Sequence, residues 1–148
     1  MKPEKFLVVV LILLTLAFIW GNSMLDGNAS EGLSRGLLDH IKPLLDALGI
    51  ESDSDKWLRK LAHFCEFALL GAEFCMYAFL EKSDSFKKRL PLCAVLAFAV
   101  AAIDETIQRF SGRFPHILDV LLDFSGSLFG IICMYFLLQL WMGKKNKI

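Results

Sequence analysis

The chain carries no surplus charge of either sign: 16 Lys and Arg stand against 16 Asp and Glu over 148 residues. A nucleic-acid-binding domain would show a basic excess, so that class is excluded and no nucleic-acid partner is expected. Cysteine is scarce. Cys65, Cys75, Cys93 and Cys133 each sit inside an apolar run, and no two form a C-x-x-C pair. That pattern offers no disulfide framework and no structural zinc spacing; four buried small apolar residues are the expectation. Internal repeats and low-complexity tracts are missing. So are a Walker loop and an H-E-x-x-H helix, so neither a phosphate-cradling loop nor a zincin-type metal motif announces an activity.

What the chain has in quantity is apolar surface. It is 55% hydrophobic, with a mean hydropathy of +0.52. A helix crosses a bilayer with about 20 apolar residues, and four stretches qualify, at about 6–22, 61–80, 90–109 and 118–141. The prediction is an all-α fold: a four-span transmembrane helical bundle forming a single domain over 1–148. Trp20 closes the first span and suits an interfacial aromatic anchor. Lys2 and Lys5 precede that span like the basic end of a signal peptide. However, "GNSMLDGNAS" offers no A-x-A cleavage site close behind it, so an uncleaved anchor is expected.

The segment between spans one and two contains "LSRGLLDHIKPLLDALG". Leu33, Leu37, Leu38, Ile41, Leu44, Leu45 and Leu48 recur at helical spacing. They predict an amphipathic helix lying in the membrane interface and bent at Pro43, serving as a cap over the bundle or as a lid over a site. Lysine and arginine near span ends set direction. Lys2 and Lys5, then Lys82, Lys87, Lys88 and Arg89, then Lys144, Lys145 and Lys147 share one side, which makes both termini cytoplasmic. The acid-rich 21–59 segment and the 109–117 link then lie outside. The expected location is the plasma membrane.

This topology gathers polar residues at one depth. Lys60, His63 and Glu66 open span two, covering about 9 Å of helix. Asp104, Glu105 and Gln108 end span three. Asp119 and Asp123 open span four on one face, and Arg109, Arg113 and His116 belong to the adjoining link. Acids facing lipid would cost roughly 2.5 to 3.5 kcal/mol each near the bilayer centre, so the groups are expected to meet inside the bundle. Ion pairs holding the helices in register would explain any one of them. They explain the set less well. Five carboxylates (Glu66, Asp104, Glu105, Asp119 and Asp123) exceed Lys60, Arg113 and Arg109, and the excess calls for protons, a metal, a histidinium or a cationic ligand group. Glu73, deeper in span two, reads either as a proton-relay position or as a carboxyl hydrogen-bonded to a neighbouring helix. "GSLFG", Gly126 to Gly130, permits close helix approach. It serves packing within the chain or a dimer face, which leaves a homodimer open. Gly71 suits the same role in span two. "GNAS" holds an N-x-S sequon that matters only in a eukaryotic secretory setting.

"RKLAHFCEFALLGAEF" followed by "DETIQRFSGRFPHILDVLLDFSGSLFG" resembles the VanZ-like family of small bacterial membrane proteins, whose founding member is associated with resistance to the glycopeptide teicoplanin. The resemblance covers roughly residues 56 to 132. Lys60 and His63 match its Lys-x-x-His, and Glu66 with Phe67 match an acid and aromatic found in one subgroup. Asp104, Glu105 and Gln108 match its Asp-Glu pair and Gln. Gly112, Arg113, Asp119, Asp123, Gly126 and Gly130 match the remainder. Two features depart: Ile107 stands where many relatives have His, and the link from Gln108 to Arg113 is one residue short. The resemblance implies a cell-envelope and antibiotic-response setting rather than a reaction.

Two functions follow. The first is a membrane protein whose outer-leaflet pocket binds or modulates a ligand. That ligand would be a membrane lipid, a lipid-linked cell-wall precursor or a lipoglycopeptide, held by Lys60, His63, Glu66, Asp104, Glu105, Gln108, Arg113, Asp119 and Asp123. The second is an intramembrane hydrolase or transferase on a lipid-linked substrate, with His63, Glu66, Asp104, Glu105 and Asp123 as candidate catalytic groups that, with Asp119, could bind a divalent metal or share acid and base roles. Whether the protein is an enzyme stays open. The carboxylates have no standard metal spacing, and neither a metal nor another cofactor is expected.

Overall fold

Pro3 occupies the first helical position, where its missing N–H and fixed φ cost nothing, and an unbroken apolar run follows it. The computed structural model describes residues 2–24, 55–81, 86–111 and 117–145. Among them lie four helices and no strand: α1, Pro3–Met24; α2, Asp55–Glu81; α3, Phe86–Phe110; and α4, Ile117–Lys145. All four are long and apolar enough to cross a membrane. Each contains one expected span and runs past it into polar residues, because the backbone ladder continues where the apolar run stops. The amphipathic segment 33–48 with Pro43, the sequon, Gly112, Arg113 and His116 all lie outside the described residues.

Side-chain pairs fix the helix directions. Lys5 reaches Glu81 while Asn22 reaches Glu66, so α1 and α2 are antiparallel. Phe64 lies tilted against Phe129, and Phe79 lies edge-on to Trp141, so α2 and α4 run parallel. Phe86 meets Phe79 at the start of α3, which makes α3 antiparallel to α2. The directions alternate along the chain, as four successive spans require. Residues 22–24, 59–66, 104–111 and 117–123 therefore share one end. Lys2, Lys5, Lys87, Lys88, Arg89 and Lys144 share the other.

The α2–α4 pair has the most extensive contact in the bundle, and glycine makes it possible. A Cβ on Gly126 would stand 2.5 Å from the Phe64 carbonyl oxygen, inside any real Cβ contact. A Cβ on Gly130 would strike the Ala68 carbonyl, and one on Gly71 the Ser127 carbonyl. The G-x-x-x-G motif thus packs within the chain, with Gly71 as its counterpart on α2.

Two apolar clusters form the core. Cys75, Ala78, Phe86, Cys93, Ile131 and Leu138 fill the basic end. Ile19, Phe67, Leu70 and Ala101 fill the middle. Outward positions such as Phe6, Leu13, Leu14, Val95, Phe136 and Leu140 stay exposed, as lipid-facing residues would. The cysteines divide differently from expectation. Cys75 and Cys93 are buried, while Cys65 and Cys133 are exposed on outward faces, and all four are free. An apolar run in a membrane helix has two environments, and sequence context does not tell core from lipid. Trp20 packs partly buried against the middle cluster, and its indole Nε1 is buried without a hydrogen bond among the described residues.

Candidate functional site

The buried stripe of α3 explains how acids come to lie inside the bundle. It runs Phe86, Cys93, Ala97, Ala101, Asp104, Glu105 and Gln108, steps that keep one helical face turned inward. Three and four residues on from Ala101, at Asp104 and Glu105, the same face becomes polar. Asp104 is 0% exposed, and Glu105 and Gln108 are each 8% exposed, so these residues occupy core positions. The apolar plug of Ile19, Phe67, Leu70 and Ala101 forms the floor beneath them.

The other helices bring partners to this end. His63 and Glu66 lie on α2, with His63 Nδ1 3.6 Å from Glu66 Oε2. Asp123, on α4, is 2% exposed. One donor atom each from His63, Asp104 and Asp123 falls within 4.8 Å of the other two. Gln108 Nε2 donates to Asp104 Oδ2 at 2.7 Å, which holds that carboxylate in place. At the rim, Lys60 Nζ donates to Asp119 Oδ1 at 2.7 Å. Lys60 has half its side chain exposed, so this pair clamps the start of α2 to α4 outside the buried group. Arg109 is exposed. The structure thus brings His63, Glu66, Asp104, Gln108 and Asp123 together, with Glu105 buried on the same stretch of α3. It leaves Lys60 and Asp119 at the edge. Arg113 lies outside the described residues.

Helix α1 supplies members that the sequence reading omits. Asn22 Nδ2 donates to Glu66 Oε1 at 3.1 Å, and the fully buried Ser23 accepts from Gln108 Nε2 at 3.4 Å. Deeper in the bundle, Thr15 Oγ1 donates to Glu73 Oε1 at 2.9 Å, which bears out the hydrogen-bonded reading of Glu73. The available signal was the run of Asn22 and Ser23 directly after an apolar span. Uncharged polar residues there look like ordinary loop entry, so the signal is weak.

Chemically, the site is a water-poor group of carboxylates with one imidazole and two amide side chains, on an apolar floor between helices. It can accept hydrogen bonds from hydroxyls and amines, share protons between carboxyls, or ligate a cation.

Fold and site together define a class, a multi-pass helical membrane protein with a buried acidic cluster at one end of its bundle. The family model for VanZ/LLP1 matches residues 6–139, and the chain belongs to that family. Neither curated proteins nor solved structures give a match to this chain.

Proposed function

We propose that the chain binds the polar head of a lipid-linked or glycopeptide-type ligand in this cluster and thereby contributes to a glycopeptide-resistance response of the bacterial cell envelope. The observation that carries the reading is the burial of Asp104 and Asp123 beside His63. Carboxylates in core positions are expensive unless something meets them. Sugar hydroxyls and amines are suited to do so, and the ligand's apolar chain would lie along the lipid-facing grooves. Most of the exposed lysines, Lys2, Lys87, Lys88 and Lys144, lie at the opposite end, with Lys60 at the rim of the site. By the preference of basic residues for the cytoplasm, the site then belongs in the outer leaflet, where such ligands are met.

The test is mass spectrometry of what co-purifies with the full chain in mild detergent, wild type against Asp123→Asn. A lipid-linked or glycopeptide species retained by the wild type, and lost in a variant of unchanged melting temperature, supports the reading. Equal retention by both overturns it. A second reading, an intramembrane hydrolase or transferase, draws on the approach of His63 to Glu66, the arrangement of a carboxylate-oriented general base. Turnover of a bound lipid-linked substrate, abolished in His63→Gln, would select it.

A further inference from the structure

The clearest unsettled feature of the site is Asp123. It is 2% exposed, and no described residue donates a hydrogen bond to it, its electrostatic neighbours being Asp104, Asp119, Glu105 and Glu66, all acids. A buried carboxylate set among acids is costly unless a proton or a cation meets it. Its oxygen lies within 4.8 Å of a donor on His63 and another on Asp104. The three donors come from three helices, so no spacing along the chain could reveal them as a set.

We propose that His63, Asp104 and Asp123 ligate a divalent transition cation of the zinc type. Imidazole nitrogen favours zinc-like ions over magnesium or calcium, and two carboxylates supply matching negative charge. Zinc bound at about 2.1 Å holds tetrahedral donors about 3.4 Å apart, so the side chains need close by only about 1 Å or a little more. Three protein ligands leave a fourth position open. The surroundings suit such an ion. His63 Nδ1 lies 3.6 Å from Glu66 Oε2 without a hydrogen bond between them; a small closing shift would let Glu66 take that N–H and leave Nε2 for the cation. Gln108 donates to Asp104 Oδ2. Carboxylate and amide partners of this kind fix metal ligands. A cation here also gives an acid-rich pocket a centre able to accept a phosphate-bearing head group. That last step rests on the head-group reading; the metal site does not.

The experiment uses the full chain in detergent, stripped by chelator and titrated with Zn²⁺ alone and with Mg²⁺ alone. One Zn²⁺ per chain should bind, raise the melting temperature, and shift one of the three histidine imidazoles in a ¹⁵N spectrum of the wild type. Asp123→Asn and His63→Gln should each weaken Zn²⁺ binding at least tenfold, and Glu66→Gln about tenfold. Lys88→Met, at the opposite end of the bundle, should leave it unchanged. No Zn²⁺ bound, no imidazole shifted, a preference for Mg²⁺, or wild-type affinity in Asp123→Asn would each overturn the proposal, and the imidazole readout needs no variant that folds. Lipid-linked ligand that co-purifies equally with and without chelator would overturn the phosphate-accepting role alone.

Discussion

Single glycines decide how closely α2 and α4 approach. Gly126 and Gly130 are legible in the sequence as a motif. Their partners, Phe64 and Ala68 on α2, are not, because the register between two apolar helices depends on three-dimensional fit. Gly130→Val would drive a side chain into the Ala68 backbone, which cannot yield. Overpacking of this kind costs about 1–3 kcal/mol, so the melting temperature in detergent should fall clearly. Gly21→Ala and Gly143→Ala meet nothing within 4 Å and should melt within error of the wild type. A Gly130→Val protein melting normally would show that the helices can part without penalty. At the same scale, His63, Asp104 and Asp123 could be picked out because charge is rare in apolar runs. Cys65 and Cys133 were misjudged because an apolar neighbourhood is shared by core and lipid.

At the scale of the element, α1 is the helix whose role the sequence hides. It reads as a plain hydrophobic anchor. Yet it contributes Thr15 and Ser23 to buried hydrogen bonds, and Asn22 to a half-buried one, with α2 and α3. Asn22→Leu removes the donor to Glu66 and should cost about 1–3 kcal/mol, the usual penalty of stranding a buried polar atom. Pairing it with Glu66→Leu replaces both partners by apolar groups, which is often close to neutral. The double variant should therefore melt near the wild type while still losing the co-purified ligand. Recovery of ligand along with stability would show that Glu66 serves the bundle and not the site. On α3 the polar end of the stripe, Asp104, Glu105 and Gln108, is legible in the sequence, whereas the inward face set by Phe86, Cys93, Ala97 and Ala101 is not, because apolar residues fill every side of that span.

For the whole molecule, the alternation of helix directions gathers most of the buried acids at one end of the bundle and most of the exposed lysines at the other. Four spans and their order followed from hydropathy alone; the end at which polar groups meet followed from parity. We predict that in a cysteine-replaced chain in intact cells, Ser30→Cys and Ser111→Cys react with an impermeant maleimide, while Lys87→Cys and Lys144→Cys do not. Labelling at position 87 would invert the bundle and move the site to the cytoplasmic leaflet, where a glycopeptide could not reach it. What the sequence could not supply is which of the gathered groups come within ligand distance of one another, because mutual distances exist only once the helices pack.

The contacts between α1 and α2 also bear on how the protein is made. Glu66, Glu73 and Glu81 of α2 take hydrogen bonds from Asn22, Thr15 and Lys5 of α1, in antiparallel order. The second span is the least apolar of the four, and each carboxyl within it opposes entry into lipid. The first span emerges earlier from the ribosome and carries no charge along its apolar run. It can enter the bilayer alone and wait there with donors already placed for the helix that follows. We therefore expect α1 to act as a co-insertion partner for α2 during biogenesis. Thr15→Val combined with Asn22→Leu should lower the fraction of newly made chains that integrate α2, read by glycosylation mapping in a cell-free translation with microsomes. Unchanged integration would confine those contacts to the finished bundle.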